Sequence, residues 1–132
     1  MKQLAIKQLF WPVLALSFLA FIFWIIIQAD LGQSIGFSKF VRHLPFGDKL
    51  GHFFLYGVLA FLVNLALKNR KIAISGHQIL LGGLLVLVFA ILEEFTQMAL
   101  STRNFELWDM FCDLLGITLF SWLALRISKP EN

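Results

Sequence analysis

The chain has 132 residues, of which 59% are apolar and 14% charged; an ordinary soluble domain carries about 45–50% apolar and about 25% charged residues. This composition, with 15 Phe and 4 Trp, excludes a water-facing globular surface, on which so much bulky apolar area would aggregate. The net charge of +3 is too small an excess to point to nucleic acid as a partner.

The apolar residues fall into four blocks. The first, about 10–27, carries no charge and follows Lys2 and Lys7, as the core of a secretory signal would. It is longer than such a core, and no small-x-small cleavage site follows closely, so it reads as a retained signal anchor. The connection 28–47 mixes Gly32, Gly36, Pro45 and Gly47 with Leu31, Ile35, Phe37, Phe40, Val41 and Leu44. That mixture predicts a loop lying in the membrane interface, with a short amphipathic turn near 38–43. The second block, about 50–67, contains His52, Tyr56 and Asn64, and Asp48 is placed to cap its N-terminus.

The third block, about 78–100, is interrupted by Glu93, Glu94, Thr96 and Gln97. The fourth, about 108–125, has Asp109 and Asp113 in its first turns. Each block is near the ~20 residues with which a helix crosses ~30 Å of hydrocarbon. Helices satisfy their own backbone in lipid, and no alternating barrel pattern is present. The expected fold is therefore all-α: a single domain, an integral membrane bundle of four transmembrane helices. The lone Cys112 excludes an intrachain disulfide and reads as an apolar filler.

With four spans, the N-terminus, the middle loop and the C-terminus share one side. That side holds Lys2, Lys7, Lys68, Arg70, Lys71, Arg126 and Lys129, seven basic residues against the four (Lys39, Arg42, Lys49, Arg103) of the other. The bias predicts both termini in the cytoplasm. Trp11 and Trp122 then lie near the inner interface, and Trp24 and Trp108 near the outer one.

The informative residues are the ionisable ones within or beside the spans. A charge near the bilayer centre costs about 2.5–3.5 kcal/mol on insertion scales, so such residues face a bundle interior or a wet cavity. Asp48, His52 and Tyr56 recur at i, i+4, i+8, with Lys49 on the same slanting stripe. Glu94 and Gln97 share a face of the third helix; Asp109, Asp113 and Gly116 share one of the fourth; Arg103 lies in the loop between them. All reach toward one outer-leaflet level, which predicts a polar pocket open to the exterior.

Each residue also has a plain structural reading. Asp48 and Asp109 serve helix N-termini. Lys49 snorkels, Tyr56 packs, and Gly116 permits close helix approach. Asn64 ties helices together, and Glu93, about 100° around the helix from Glu94, points elsewhere, to Arg103 or the interface. Taken together, the polar residues at one depth form either a functional pocket or a buried ion-pair network that fixes helix registry.

These residues, in this order, resemble the VanZ-like family. Asp48-Lys49-x-x-His52-x-x-x-Tyr56 opens a span, Glu94-x-x-Gln97 closes a later one, Arg103 follows, and Asp109, Asp113 and Gly116 open the last. The similarity covers about 48–116 and the overall hydropathy. Asp113 stands where the family often has Asn. The resemblance implies a bacterial cytoplasmic-membrane protein of the cell envelope; the family takes its name from a protein associated with teicoplanin resistance in glycopeptide-resistance gene clusters.

Three activities fit the pattern. In the first, the pocket binds a membrane lipid or a lipid-linked or cell-wall precursor, with Lys49 and Arg103 on an anionic group, Glu94, Gln97 and Asp109 orienting it, and Asp48 and Tyr56 completing the binding site. In the second, an intramembrane enzyme uses His52 as general base with Glu94 or Asp113 as partner or acid. In the third, His52 and two of Glu94, Asp109 and Asp113 hold a metal, although one histidine with carboxylates is a low-specificity metal pattern.

Overall fold

The computed structural model describes residues 2–32, 39–40, 43–100 and 106–128. Its four long helices are α1 (Lys2–Asp30), α2 (Gly47–Ala66), α3 (Leu81–Ala99) and α4 (Leu107–Ile127). All four are long and apolar enough to cross a membrane, the first over Ile6–Asp30. The chain is thus a multi-pass membrane protein with an all-α bundle.

Its packing is the reverse of a soluble bundle. Large apolar side chains such as Leu85, Leu92, Phe95, Trp108, Phe111 and Trp122 point outward, where lipid can cover them. Small and polar residues fill the interior: Ala60, Asn64 and Ala124 are fully buried, and Ala90 nearly so. Without a hydrophobic force between helices in lipid, close backbone approach and interhelical hydrogen bonds hold such a bundle together. The apolar core is correspondingly small, with Ile22 of α1 packed against Tyr56, Leu59 and Ala60 of α2, Val86 and Ala90 of α3, and Ile117 of α4.

Helices α2 and α4 form the central pair. A Cβ on Gly116 of α4 would strike the backbone carbonyl of Phe53 on α2, so only glycine allows this approach. Further along, Asn64 of α2 ties three helices together. Its Nδ2–H donates to Ser121 Oγ of α4 at 2.9 Å, and its Oδ1 accepts the Gly83 N–H of α3 at 2.9 Å. Helix α3 has no side-chain cap of its own at Leu80, so Asn64 satisfies one of its free N-terminal amides from a neighbouring helix. Gly82 makes room for this, since a Cβ there would collide with Asn64.

Two expectations at helix starts are corrected. The third span begins at Leu81 rather than 78, because 77–80 belong to a β-hairpin in the middle loop. Strands β1 (Lys71–Ile74) and β2 (His77–Leu80) pair antiparallel with Ile74 opposite His77. Ser75 (φ 51°) and Gly76 (φ 81°) make the two-residue turn with both central residues left-handed, which matches strand twist. The second correction concerns Asp48: helix α2 starts at Gly47 with left-handed Phe46 at the N-cap position. Asp48 therefore sits in the first helical turn, where its charge meets the helix dipole without capping an amide through its side chain. Of the expected amphipathic turn near 38–43, residues 38, 41 and 42 lie outside the described residues.

Candidate functional site

The start of α2, the end of α3 and the start of α4 meet at one end of the bundle, opposite the hairpin. His52 lies one turn into α2, and Tyr56 follows a turn later; their rings stack with centroids 5.9 Å apart at 26°. Tyr56 is buried. Asp109 and Asp113 occupy successive turns of α4, and Glu94 projects from the last turns of α3.

These positions converge on the imidazole. His52 Nδ1 lies 2.8 Å from Asp113 Oδ1 and 3.6 Å from Glu94 Oε1, while Nε2 lies 3.8 Å from Asp109 Oδ2. Three carboxylates from two helices thus surround one histidine of a third. They are deeply enclosed: Glu94 and Asp113 are each 1% exposed and Asp109 6%.

The arrangement is under-satisfied. A ring nitrogen carries at most one hydrogen. Nδ1 shares one hydrogen bond with Asp113 Oδ1, and the 3.6 Å separation to Glu94 is too long for a second. Both Glu94 oxygens and Asp113 Oδ2 are buried and accept no hydrogen bond among the described residues. A buried polar group left so costs about 1–3 kcal/mol, and more if charged. Helix registry alone would have been served by fewer acids.

Lys49 sits at the rim. Its Nζ lies 2.9 Å from Glu106 Oε2 and donates to it, and 3.9 Å from Asp109 Oδ1. The Lys49 charge is therefore already engaged by carboxylates, which counts against its reading as the receptor of an anionic group. Asp48 is exposed beside it. Glu106 was not among the sequence candidates. It precedes α4 at i−3 from Asp109 and i−7 from Asp113, a spacing that could have marked it, but no spacing rule connects it to Lys49, 57 residues away.

Gln97 corrects a further expectation. Its Nε2–H donates to Glu93 Oε2 at 2.5 Å, one turn back on the same helix, rather than joining Glu94. Glu93 and Gln97 are both buried, so Glu93 is an interior residue as well. Arg103 lies outside the described residues.

Beside the cluster, a cleft of about 290 Å³ opens between α3 and α4, walled by Leu87, Ala90, Ile91, Met110, Phe111 and Leu114. Asp113 is the one ionisable side chain in that wall. The polar cluster and an apolar cleft thus share a residue. Among the described residues, His52, Glu94 and Asp113 are the group able to hold a metal ion, each offering one donor atom with all three within 4.8 Å of one another.

No protein-family model, curated protein or solved structure matches the chain.

Proposed function

We propose that this end of the bundle is an intramembrane binding site for an amphiphilic envelope component, either a membrane lipid or a lipid-linked cell-wall precursor. The observation that carries the reading is the shared Asp113. It is hydrogen-bonded to His52 on one side and borders the apolar cleft on the other. A cleft of that lining suits a hydrocarbon tail, and the His52, Glu94 and Asp109 groups suit the polar head. Because acids outnumber bases there, the favoured head offers hydroxyl or amine donors. Under the positive-inside bias the site faces the cell exterior, with both termini cytoplasmic. The motif resemblance described above agrees with a VanZ-like protein of the bacterial cytoplasmic membrane, in which such binding would affect glycopeptide susceptibility.

A second reading is an intramembrane enzyme acting on the same class of ligand. The 2.8 Å contact between His52 and Asp113 favours it, because a carboxylate at Nδ1 orients an imidazole for general-base work through Nε2. Asp109 stands 3.8 Å from that nitrogen, where a bound water or hydroxyl would have to enter.

Native mass spectrometry of the detergent-purified chain tests the binding reading. Ala90→Trp fills the cleft, Asp113→Asn alters its polar end, and Val88→Trp adds the same bulk on the exposed face of α3. A co-purifying amphiphile is expected in the parent and in Val88→Trp, and its occupancy should fall at least about tenfold in Ala90→Trp, about 1.4 kcal/mol of binding. Equal occupancy in all folded variants, or none in the parent, would overturn the reading.

A further inference from the structure

We propose that His52, Glu94 and Asp113 form a binding site for a divalent transition-metal ion of the zinc or manganese class. The proposal stands on the donor geometry and does not depend on which amphiphile, if any, occupies the cleft.

The first argument is convergence. Two carboxylates aim at the same ring nitrogen, at 2.8 and 3.6 Å. One proton on Nδ1 can satisfy only one of them; an ion in its place satisfies both carboxylates and the nitrogen. Ligands ~2.1 Å from a tetrahedral metal lie about 3.4 Å apart, between the two observed separations. The widest of the three donor separations is no more than 4.8 Å, so closing the shell brings that donor pair together by at most about 1.4 Å to reach the same ~2.1 Å bonds.

The second argument is the orphaned carboxylate. Glu94 is 1% exposed, yet both its oxygens lack hydrogen-bond donors among the described residues. An acid that contributed only to helix registry would have a donor beside it. A cation at the focus of the cluster gives Glu94 a partner and explains its burial.

The third argument is the opposite edge of the ring. A metal-bound imidazole commonly donates its other N–H to a carboxylate, which fixes the tautomer. His52 Nε2 faces Asp109 Oδ2 at 3.8 Å, beyond hydrogen-bond length, so this contact has to shorten when the ion binds; Asp109 in turn has Lys49 at 3.9 Å. Charge follows the same division: Lys49 faces Asp109 and Glu106, while the two charges of the ion would balance Glu94 and Asp113. One imidazole nitrogen with two carboxylate oxygens selects zinc, manganese or iron(II) over magnesium or calcium, which prefer oxygen alone. Three protein ligands also leave a coordination position for an oxygen of water or of a bound head group.

The test uses the full chain in detergent, stripped with a chelator and titrated with Zn²⁺ alone, then with Mn²⁺ alone, in excess Mg²⁺. Calorimetry and elemental analysis should give one ion per chain. Glu94→Gln and Asp113→Asn should abolish that stoichiometric site, whereas Asp109→Asn should retain it with affinity about 10–100-fold weaker. His77→Ala, on the exposed hairpin, should bind as the parent does. If the Glu94 or Asp113 variant fails to fold, pulsed electron paramagnetic resonance of the Mn²⁺-loaded parent decides, since imidazole ligation gives a nitrogen coupling that His52→Gln must remove. No bound ion in the parent, unchanged binding in folded Glu94→Gln, or Mn²⁺ without a nitrogen coupling would overturn the proposal.

Discussion

Gly116 of α4 lies against the backbone of Phe53 on α2 so closely that a Cβ would meet the Phe53 carbonyl oxygen. Phe53 adjoins His52 and Gly116 lies about one turn from Asp113, so this approach sets the helix separation at which their side chains touch. Gly57, facing the same seam from α2, would instead set a Cβ mainly against the Phe120 ring, a side chain able to rotate away. Gly116→Ala is therefore expected to destabilise the bundle by about 1–3 kcal/mol, as overpacking does, and more than Gly57→Ala. Unfolding of both variants in mixed micelles checks the order; equal effects would show that the backbone contact is not limiting.

Asn64 supplies the second handle. Removing its side chain leaves the Gly83 N–H without its 2.9 Å acceptor and takes a donor from Ser121. Asn64→Ala should cost about 1–3 kcal/mol through the unsatisfied buried groups. Asn64→Leu, close to asparagine in shape but unable to hydrogen-bond, should cost at least as much, because its apolar branch keeps water from the Gly83 N–H and Ser121 Oγ it leaves unpaired. Thermal denaturation of the purified variants measures this, together with amide exchange at the first turn of α3, which should quicken in both.

The four spans were legible in the sequence because a membrane helix needs only length and apolarity, and the deviations have local causes. The hairpin was hidden because Gln78, Ile79 and Leu80 continue the apolar run of α3, so a window of hydropathy absorbs them. The Ser75-Gly76 turn and the β-branched Ile72, Ile74 and Ile79 were the signals available. Helical spacing placed His52, Asp109 and Asp113 at one depth, and the structure brings them together with Glu94. Spacing did not reveal that Gln97 would choose Glu93 at i−4 over Glu94 at i−3, since both lie within reach on a helix. Nor did it reveal Glu106, whose partner Lys49 belongs to another helix. Pairings across helices depend on rotation about the helix axes, which hydropathy does not encode.

The seven-to-four bias in basic residues predicts that both termini are cytoplasmic. A reporter that is active only in the cytoplasm, fused after Asn132, should be active, and the same reporter fused within the connection between α1 and α2 should be silent. Activity of a periplasm-only reporter at Asn132 would invert the topology and turn the His52 cluster toward the cell interior.

The central claim is that two helices deliver three carboxylates to His52 of a third within a bilayer. Magic-angle-spinning NMR of the chain in lipid, with labelled histidine nitrogens and Asp and Glu carboxyl carbons, measures these distances directly. His43 and His77 are separated from His52 by substitution. A 2.8 Å contact between His52 Nδ1 and Asp113 Oδ1 places the Asp113 carboxyl carbon about 3.5–4 Å from that nitrogen at ordinary hydrogen-bond geometry. The account predicts that distance for Asp113 and a second carboxyl carbon, from Glu94, within about 5 Å of the same nitrogen. A His52 nitrogen with no carboxyl carbon inside about 5 Å would contradict the account.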